Sequence, residues 1–149
     1  MITDKEKRVL AEMCKNPRAS YRQLAKKAGV APATFIQRVR DLEKGGVITG
    51  YRAMVDPEKL GYNITAIIEV QAKRGGFFKS EEKISKMPNV CAIYEVTGPF
   101  DFFIIARFKH REELSTFVRE LLATDSIERT STRVVVNSMK EDFSSIDGK

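Results

Sequence analysis

The chain contains 149 residues, of which 31% are charged and 42% apolar, and its formal net charge is +6. These values are typical of a soluble globular protein with one ordinary domain or two small ones. No apolar run approaches the roughly 18 residues that indicate a membrane span, and no signal-peptide pattern opens the chain. We therefore expect a cytoplasmic protein that does not associate with a membrane.

The sequence offers few residues for metal binding or nucleophilic catalysis. The two cysteines, Cys14 and Cys91, lie within apolar patterns and are expected to be buried, reduced thiols. The single histidine, His110, precedes Glu112 and Glu113, where a helix-capping role is expected. The sequence shows no nucleophile–base pair and no phosphate-cradling glycine loop. We therefore predict no enzyme activity, no catalytic residue, no metal site and no cofactor.

The positive charge is concentrated in the first third of the chain. Residues 1–50 contain 11 Lys or Arg against 5 Asp or Glu, whereas residues 51–149 contain 15 of each sign. This asymmetry favours a polyanionic partner for the N-terminal part alone. The alternative is a solvated basic face that has no partner.

Three helices are predicted in the first third. Residues 3–6 and 20–23 both have the form of a capping box, so a helix should start at each. Gly29 is placed to close the second helix, and Pro32 suits the first turn of a third helix that runs to about Lys44. Two helices joined by a short glycine-containing turn, behind a first helix, form a helix-turn-helix unit.

The third helix has the composition of a helix that reads DNA. One side of its helical wheel is apolar and should face the first two helices: Phe35, Val39 and Leu42. On the rest of the surface, Gln37 suits an adenine edge and Thr34 suits either base type, while Ala33 and Ile36 suit thymine methyl groups. The residues expected to hold phosphates are Arg22, Lys26, Lys27, Arg38, Arg40 and Lys44. The alternatives are solvated side chains, or a three-helix interaction module that does not bind DNA.

The segment after the third helix marks the boundary between two domains. Residues 47–55 alternate in polarity and indicate an extended connector or a strand, and residues 56–61 indicate a turn or a short helical turn. We assign residues 1–50 to a helix-turn-helix, winged-helix-like DNA-binding domain and residues 51–61 to a connection. Residues 62–149 form the second domain.

The second domain is predicted to combine a sheet with two helices, which makes the fold class α+β. One helix is marked by Phe77, Ile84 and Met87, and another, over residues 114–122, has apolar residues at i, i+3, i+4, i+7 and i+8. The order βαββαβ is the ferredoxin-like arrangement, an antiparallel sheet with both helices on one face. The predicted strands are residues 62–72, 90–97, 101–109 and 127–139.

Both faces of this sheet are predicted to be apolar. In the third strand Phe103 and Ile105 alternate with apolar residues that point to the opposite face, and in the second strand Val90, Ala92 and Tyr94 do the same. Since two helices cover one face, a second subunit is the simplest cover for the other. We therefore predict at least a dimer, which would present two DNA-binding units to half-sites about one helical turn apart.

Short segments along the chain carry a resemblance to a known family. They are RVRDLEKGGVI at 38–48, DP at 56–57, LGY at 60–62, PNV at 88–90, TGPFDF at 97–102 and ERTST at 128–132. In this order and spacing, and over nearly its whole length, the chain resembles the Lrp/AsnC family of leucine- and asparagine-responsive transcription regulators. The resemblance implies a role in regulating amino acid metabolism, double-stranded DNA as a partner, homodimers that often assemble into octamers, and a small effector.

The resemblance also implies a place for that effector, which in the family is commonly an amino acid bound between dimers. A glycine-containing turn exposes backbone N–H groups that can take a carboxylate, and Asp101 can take an ammonium group. The alternative is that Gly98 and Asp101 only form a tight hairpin turn. The expected effector-binding residues are Gly98, Pro99, Phe100, Asp101, Thr130, Ser131 and Thr132.

The chain departs from the family at the start of the third helix. The family usually has Ser or Thr just before the position of Pro32, whereas this chain has Ala31, so about 1 kcal/mol of capping is absent. Our hypothesis is that a DNA phosphate satisfies this helix start instead, because helix N-termini attract anions.

An RNA-binding protein is the alternative to a DNA-binding regulator. A ferredoxin-like sheet can stack bases on aromatic residues, and Phe100, Phe102 and Phe103 are candidates for such stacking. The second domain carries no net positive charge, however, and its apolar face suits a partner sheet better than RNA.

Overall fold

The computed structural model describes residues 2–73 and 82–142. The chain divides into two compact units, one that extends as far as Met54 and also takes in residues 140–142, and one over Val55–Met139. Each unit has its own hydrophobic core, and the two cores share no residue. None of the helices in the described ranges is long and apolar enough to cross a membrane.

The first unit consists of three helices whose ends follow local chemistry. They are α1 (Asp4–Lys15), α2 (Tyr21–Ala28) and α3 (Pro32–Lys44). Thr3 and Ser20 cap α1 and α2, and both reciprocal hydrogen bonds of the capping box are formed at each. Gly29 closes α2 with a φ of 69°, a left-handed conformation that glycine adopts without a Cβ penalty. The predicted helix starts are therefore confirmed.

The core of the first unit lies between the three helices. Its buried residues are Val9, Leu24, Ala25, Ala28, Phe35, Val39 and Leu42. The inward face predicted for α3 is confirmed, but Cys14 is exposed and the prediction of a buried thiol is wrong. Cys14 follows Val9 by five positions, which rotates it about 140° away from the buried side of α1.

Two short segments connect the first unit to the sheet. Residues 49–56 form no regular secondary structure, so of the two alternatives for this segment the connector is the one observed. A 3₁₀ turn follows at Glu58–Leu60 and is closed by Gly61 with a φ of 87°. This observation agrees with the helical turn predicted from the sequence.

The second unit is built on a four-stranded antiparallel sheet. Its strands are β1 (Ile64–Ala72), β2 (Val90–Glu95), β3 (Phe102–Phe108) and β4 (Ile127–Val134), in the spatial order β2-β3-β1-β4. A helix with described residues 82–85 (α4) precedes β2, and α5 (Arg111–Leu122) precedes β4. The βαββαβ order with this strand order confirms the ferredoxin-like prediction. The fourth strand is shorter than expected, and Phe77 lies outside the described residues.

One face of the sheet forms the core with α4 and α5. The buried residues are Ala66, Ile68, Val70, Ile84, Phe102, Ile104, Ala106, Phe108, Phe117, Leu121 and Ile127. Phe117 of α5 packs edge-on against Phe108 of β3, with ring centroids 5.2 Å apart. The predicted alternation in β3 is confirmed.

The opposite face of the sheet, which we call the outer face, carries a second apolar group. Because directly paired residues of antiparallel strands share a face, the register places the following residues there: Ile67, Ala92, Tyr94, Phe103 and Ile105. A bulge between Val90 and Ala92 turns Val90 toward the core face, where it pairs with Ala106. The prediction that Val90 shares a face with Ala92 is therefore wrong.

Candidate nucleic-acid interface and effector site

The candidate base-reading residues lie together on α3. Ala33, Thr34 and Gln37 are exposed, whereas Ile36 is half-buried. A shallow depression in this surface is lined by Glu6, Ala33, Thr34, Gln37, Arg38 and Asp41. The structure thus places three of the four predicted base contacts on one exposed patch. Ile36, the fourth, lies beside them and is partly covered by other residues of the chain.

Gln37 has a partner on its own helix. Its Nε2 donates a hydrogen bond to Oδ1 of Asp41 at 2.9 Å. Asp41 was not among the predicted site residues, although the i, i+4 spacing of an amide and a carboxylate is the sequence signal that predicts this pair. The amide that was expected to read adenine therefore has a hydrogen-bond partner on its own helix.

The six predicted phosphate ligands differ in exposure and in whether they already have a hydrogen-bond partner. Arg22, Lys26, Arg40 and Lys44 are exposed on α2 and α3. Lys27 is exposed but donates to Oδ1 of Asn16 at 2.7 Å, which ties it to the turn between α1 and α2. The first group is therefore available to phosphates without breaking a described contact.

Arg38 is the most enclosed member of this set. It is half-buried, and its Nε atom has no hydrogen-bond partner among the described residues. It lies near Glu6, whose carboxyl pKa is lowered mainly by hydrogen bonds from the Thr3 side chain and backbone and further by the Arg38 charge, while burial opposes the shift. The Arg38 charge is therefore close enough to Glu6 to favour the ionised form of that carboxylate.

The start of α3 lacks a side-chain cap, as the sequence predicted. Ala31 occupies the N-cap position and makes no side-chain hydrogen bond, and Pro32 follows within the first turn. Proline is tolerated there because its missing N–H would have no intrahelical partner. The remaining N–H groups of this turn are the ones that an anion can satisfy.

The turn between β2 and β3 contains the first four predicted effector residues. Gly98 has a φ of 126°, which a residue with a Cβ rarely adopts. Asp101 accepts a hydrogen bond from the Ala72 N–H at 2.6 Å through Oδ2, and its own N–H donates to the Val70 carbonyl at 2.9 Å. Asp101 therefore fastens the turn to the end of β1, and this contact occupies one carboxylate oxygen.

Phe100 of the same turn contacts a residue that the sequence analysis missed. The guanidinium of Arg129 lies 5.1 Å from the Phe100 ring centroid, within cation–π range. Arg129 also donates from Nε to Oε1 of Gln71 at 2.7 Å. Gln71 and Arg129 lie opposite each other because of the register of β1 with β4. That register could not be predicted from the sequence.

The three predicted hydroxyl residues of β4 do not form one group. Thr130 and Thr132 pair with Val70 and Ile68, on the core side of the sheet, whereas Ser131 pairs with Glu69 on the outer face. The three hydroxyls therefore do not all lie on one face of the sheet, because successive residues of a strand point to opposite faces.

A buried carboxylate lies on the outer face. Glu69 is 7% exposed, and its carboxylate is 3.1 Å from Nη2 of Arg133. The pKa of Glu69 is lowered mainly by a hydrogen bond with Ser131 and further by Arg133, against the opposing effect of burial. Ser131 thus has a structural partner within the sheet.

Two further expectations about chemical residues are wrong. Cys91 is exposed, because it lies at the bulge of β2. His110 occupies the N-cap position of α5 but makes no side-chain capping hydrogen bond, and the Lys109 N–H donates instead to Oε2 of Glu113 at 2.9 Å. In the described part of the chain no three His, Cys, Asp or Glu side chains are grouped so as to hold a metal ion.

The aromatic set suggested for RNA stacking does not share a face. Phe102 is 2% exposed within the core, whereas its neighbour Phe103 lies on the outer face. A base-stacking platform needs adjacent rings on one exposed surface. The geometry therefore does not favour the RNA-binding alternative.

Comparisons with known proteins agree with this architecture. A model of the winged helix-turn-helix DNA-binding family matches residues 2–49, and a model of the Lrp/AsnC ligand binding domain matches residues 65–145. An uncharacterised helix-turn-helix transcriptional regulator of Pyrococcus abyssi is 38% identical over 143 residues, which are 96% of this chain and 97% of the relative. The HTH-type transcriptional regulator FL11 of Pyrococcus furiosus is 33% identical over 95% of this chain and 93% of its own length.

Solved structures show the same fold. The structure of Escherichia coli AsnC matches with a TM-score of 0.87 and 26% identity, over 95% of this chain and 97% of that one. A Neisseria meningitidis transcriptional regulator in complex with L-Met matches with a TM-score of 0.90 and 22% identity, over 97% of this chain and 96% of that one.

A three-helix DNA-binding unit joined to a ferredoxin-like ligand-binding unit defines a helix-turn-helix transcriptional regulator, not an enzyme. The family is identified by the two matches together, the winged helix-turn-helix over residues 2–49 and the Lrp/AsnC ligand binding domain over residues 65–145. The chain belongs to the Lrp/AsnC family.

Proposed function

We propose that the chain is a sequence-specific transcriptional regulator that responds to an amino acid or a related small metabolite and acts as a homodimer or a higher oligomer, up to an octamer. DNA binding is assigned to residues 1–50, the connection to residues 51–61, and effector binding and assembly to residues 62–149. The observation that carries the proposal is the location of the whole positive surplus within residues 1–50. In prokaryotic cells such as those of the relatives, duplex DNA lies in the cytoplasm, which is where we place this activity.

The DNA-binding step uses the exposed surface of α3. Thr34 and Gln37 lie near its N-terminal end, the part of a recognition helix that reaches base edges in the major groove. The exposed basic residues of α2 and α3 neutralise phosphates on either side. Phosphate contacts supply much of the affinity, and the base contacts supply the sequence preference.

The dimer is proposed to form through the outer face of the sheet. Phe103 and Ile105 are half-buried there, and Tyr94 is 47% exposed. Two such faces packed together would remove this apolar surface from water in a symmetric interface. The same face carries Glu69 of the interior strand β1 and Arg133 of the edge strand β4, which are already paired within one chain.

The effector is proposed to bind near the turn that contains Gly98 and Asp101. The support is a turn with open space around Gly98, an Asp101 carboxylate with one oxygen committed to Ala72, and the nearby Arg129 guanidinium. An L-Met ligand in a neighbour of the same fold makes an amino acid the class to test first. An effector bound between dimers would change assembly geometry, and so change which spaced DNA sites are occupied together.

The DNA-binding part is tested by three single substitutions in the full chain. Arg40→Ala should weaken binding to all duplexes similarly and make the log–log salt slope about one unit shallower. Gln37→Ala should lose discrimination between sequences. Arg111→Ala, which removes an equal charge from the exposed start of α5, is the matched control and should leave DNA affinity nearly unchanged. Equal losses from Arg40→Ala and Arg111→Ala would contradict the assignment.

The assembly part is tested by light scattering on two variants. The wild-type chain should have at least twice the 16.9 kDa mass of one chain. Ile105→Glu puts a charge in the outer face and should give monomers, because burying an unpaired carboxylate is costly. Leu122→Glu changes an exposed apolar residue of α5 in the same way and should leave the mass unchanged. A monomeric wild-type chain would refute the proposed dimer.

The effector part is tested by thermal unfolding with each of the twenty amino acids. A ligand that binds only the folded state stabilises it by about 2.7 kcal/mol at 100 times its Kd. We expect one or a few amino acids to raise the melting temperature of the second unit. If none of the twenty produces a shift, an amino acid effector is excluded.

A further inference from the structure

The pairing of Gln37 with Asp41 has a consequence for sequence reading. We propose that Asp41 is a positioning residue that fixes the orientation of the Gln37 side-chain amide, and thereby sets the base preference that Gln37 delivers. This inference rests on the proposed function, because it assumes that α3 reads base edges. It gives a role to Asp41, which is neither one of the predicted base contacts nor one of the predicted phosphate ligands.

The direction of the hydrogen bond determines which way the Gln37 amide faces. An ionised carboxylate only accepts hydrogen bonds, whereas a glutamine amide has an NH₂ that donates and an oxygen that accepts. Contact between Nε2 of Gln37 and Oδ1 of Asp41 at 2.9 Å therefore requires the NH₂ group to face Asp41. The amide rotated by 180° would place its oxygen against the carboxylate, two acceptors in contact, and is disfavoured.

This orientation leaves free the edge of the Gln37 amide that can contact a base. Adenine is recognised when an amide oxygen accepts from N6 and an amide N–H donates to N7. That oxygen and the N–H beside it form one edge, and the NH₂ has a second hydrogen that points away from this edge. When the second hydrogen is donated to Asp41, the edge that reads adenine stays complete. The same bond fixes the order in which the amide oxygen and the amide N–H lie along the groove.

A carboxylate at this location has a cost for DNA binding. Gln37 and Asp41 are both exposed and line the same depression as Ala33 and Thr34. A negative charge on a surface that approaches phosphates weakens binding to every sequence. The Asp41 carboxylate offsets this cost if it orders Gln37 in advance and so improves discrimination between bases. An exposed glutamine without a partner would instead lose rotamer freedom on binding.

The experiment selects duplexes from a random-sequence pool with the full chain and sequences the bound fraction. The variants are Gln37→Ala, Asp41→Asn and the double variant, and Glu43→Gln is the charge control on the same helix. Glu43 accepts a hydrogen bond from the Tyr51 hydroxyl at 2.8 Å, and the glutamine oxygen can accept it too. Thermal unfolding of each variant confirms that α3 stays folded.

The wild-type chain should enrich a motif, and Gln37→Ala should lose the preference at one base pair, by roughly 5- to 150-fold. Asp41→Asn should lose preference at that same base pair, since the asparagine side chain lets the Gln37 amide take either orientation. In the Gln37→Ala background Asp41→Asn should change no base preference. Glu43→Gln should raise affinity for all sequences and keep the motif.

Two results would overturn the inference while leaving the regulator intact. In the first, Asp41→Asn retains the preference that Gln37→Ala loses. In the second, Asp41→Asn changes the motif equally with and without Gln37, which would make Asp41 a direct base contact. A wild-type chain that enriches no motif would refute sequence-specific binding itself, and this inference with it.

Discussion

The two units of the molecule are stabilised by contacts of different range. In the first unit the helix ends are fixed by residues three positions apart, as in the bonds between Ser20 and Gln23. In the second unit the decisive contacts join distant parts of the chain, as in the pair of Glu69 and Arg133, which are 64 positions apart. Short-range chemistry therefore specifies the surface proposed to bind DNA, and long-range register specifies the surfaces proposed for assembly and for effector binding.

The two units also differ in charge, which separates their roles. The positive surplus of the chain lies in residues 1–50, and the rest of the chain is neutral. A neutral sheet with an apolar outer face suits contact with another copy, whereas a basic helical surface suits a polyanion. Substitutions in one unit should therefore change the property of that unit and leave the other unit unchanged.

The largest effect is expected from Phe35→Ala. Phe35 is fully buried in the small core of the first unit, so its loss should cost about 3–5 kcal/mol of unfolding free energy. Calorimetry should show the first unit melting much earlier, while the second unit, with a separate core, keeps its transition. Phe103→Ala on the outer face is the matched control and should leave the first transition in place. A shift of both transitions by Phe35→Ala would show that the two units unfold as one.

A smaller loss is expected from Ser20→Ala. The variant removes the acceptor of the Gln23 N–H hydrogen bond at the start of α2, a loss of about 1 kcal/mol. Chemical denaturation followed by circular dichroism should show a lower midpoint for the first unit. Thr124→Ala, which removes a hydroxyl from the second unit, should leave that midpoint unchanged.

A gain of similar or smaller size is expected from Ala31→Ser. A serine at this N-cap supplies the acceptor that α3 lacks, a gain of up to about 1 kcal/mol. If a DNA phosphate satisfies the same N–H groups, the serine competes with it, and DNA affinity should fall slightly as stability rises. Unchanged stability together with unchanged affinity would refute the idea that this helix start is unsatisfied.

The smallest effect is expected in the pH dependence of the second unit. The folded-state pKa of Glu69 lies below its ordinary value, so its stabilising contribution is complete above the unfolded-state pKa of about 4.5 and is lost as the pH falls through the lower folded value. Denaturation at a series of pH values should show Glu69→Gln losing part of the acid dependence of the wild-type chain. Identical acid profiles would show that Glu69 contributes nothing through its charge.

The fold was predictable where the sequence carries local or periodic signals. Capping residues, Gly29 and the apolar face of α3 predicted the first unit, and alternation in β3 predicted its two faces. The bulge at Cys91 was not predictable, because one extra residue in β2 leaves the alternating pattern of the sequence intact. It moved Val90 to the core face and left Cys91 exposed.

The candidate sites were predictable to a similar degree. The helix wheel of α3 was sufficient to place Gln37 and Arg40 on the exposed surface. The contact of Phe100 with Arg129, and the separation of Ser131 from Thr130, follow from the register of β1 with β4. Register depends on pairing between distant segments, and residue type at single positions does not reveal it.

A titration of labelled duplex DNA with the full chain, repeated from about 50 to about 200 mM salt, tests the division of roles most directly. We expect binding whose log affinity falls linearly with log salt, by roughly 0.9 for each phosphate neutralised, and a shallower slope for Arg40→Ala. The absence of binding at the lowest salt, or an affinity that salt does not change, would contradict the assignment of DNA binding to the basic first unit.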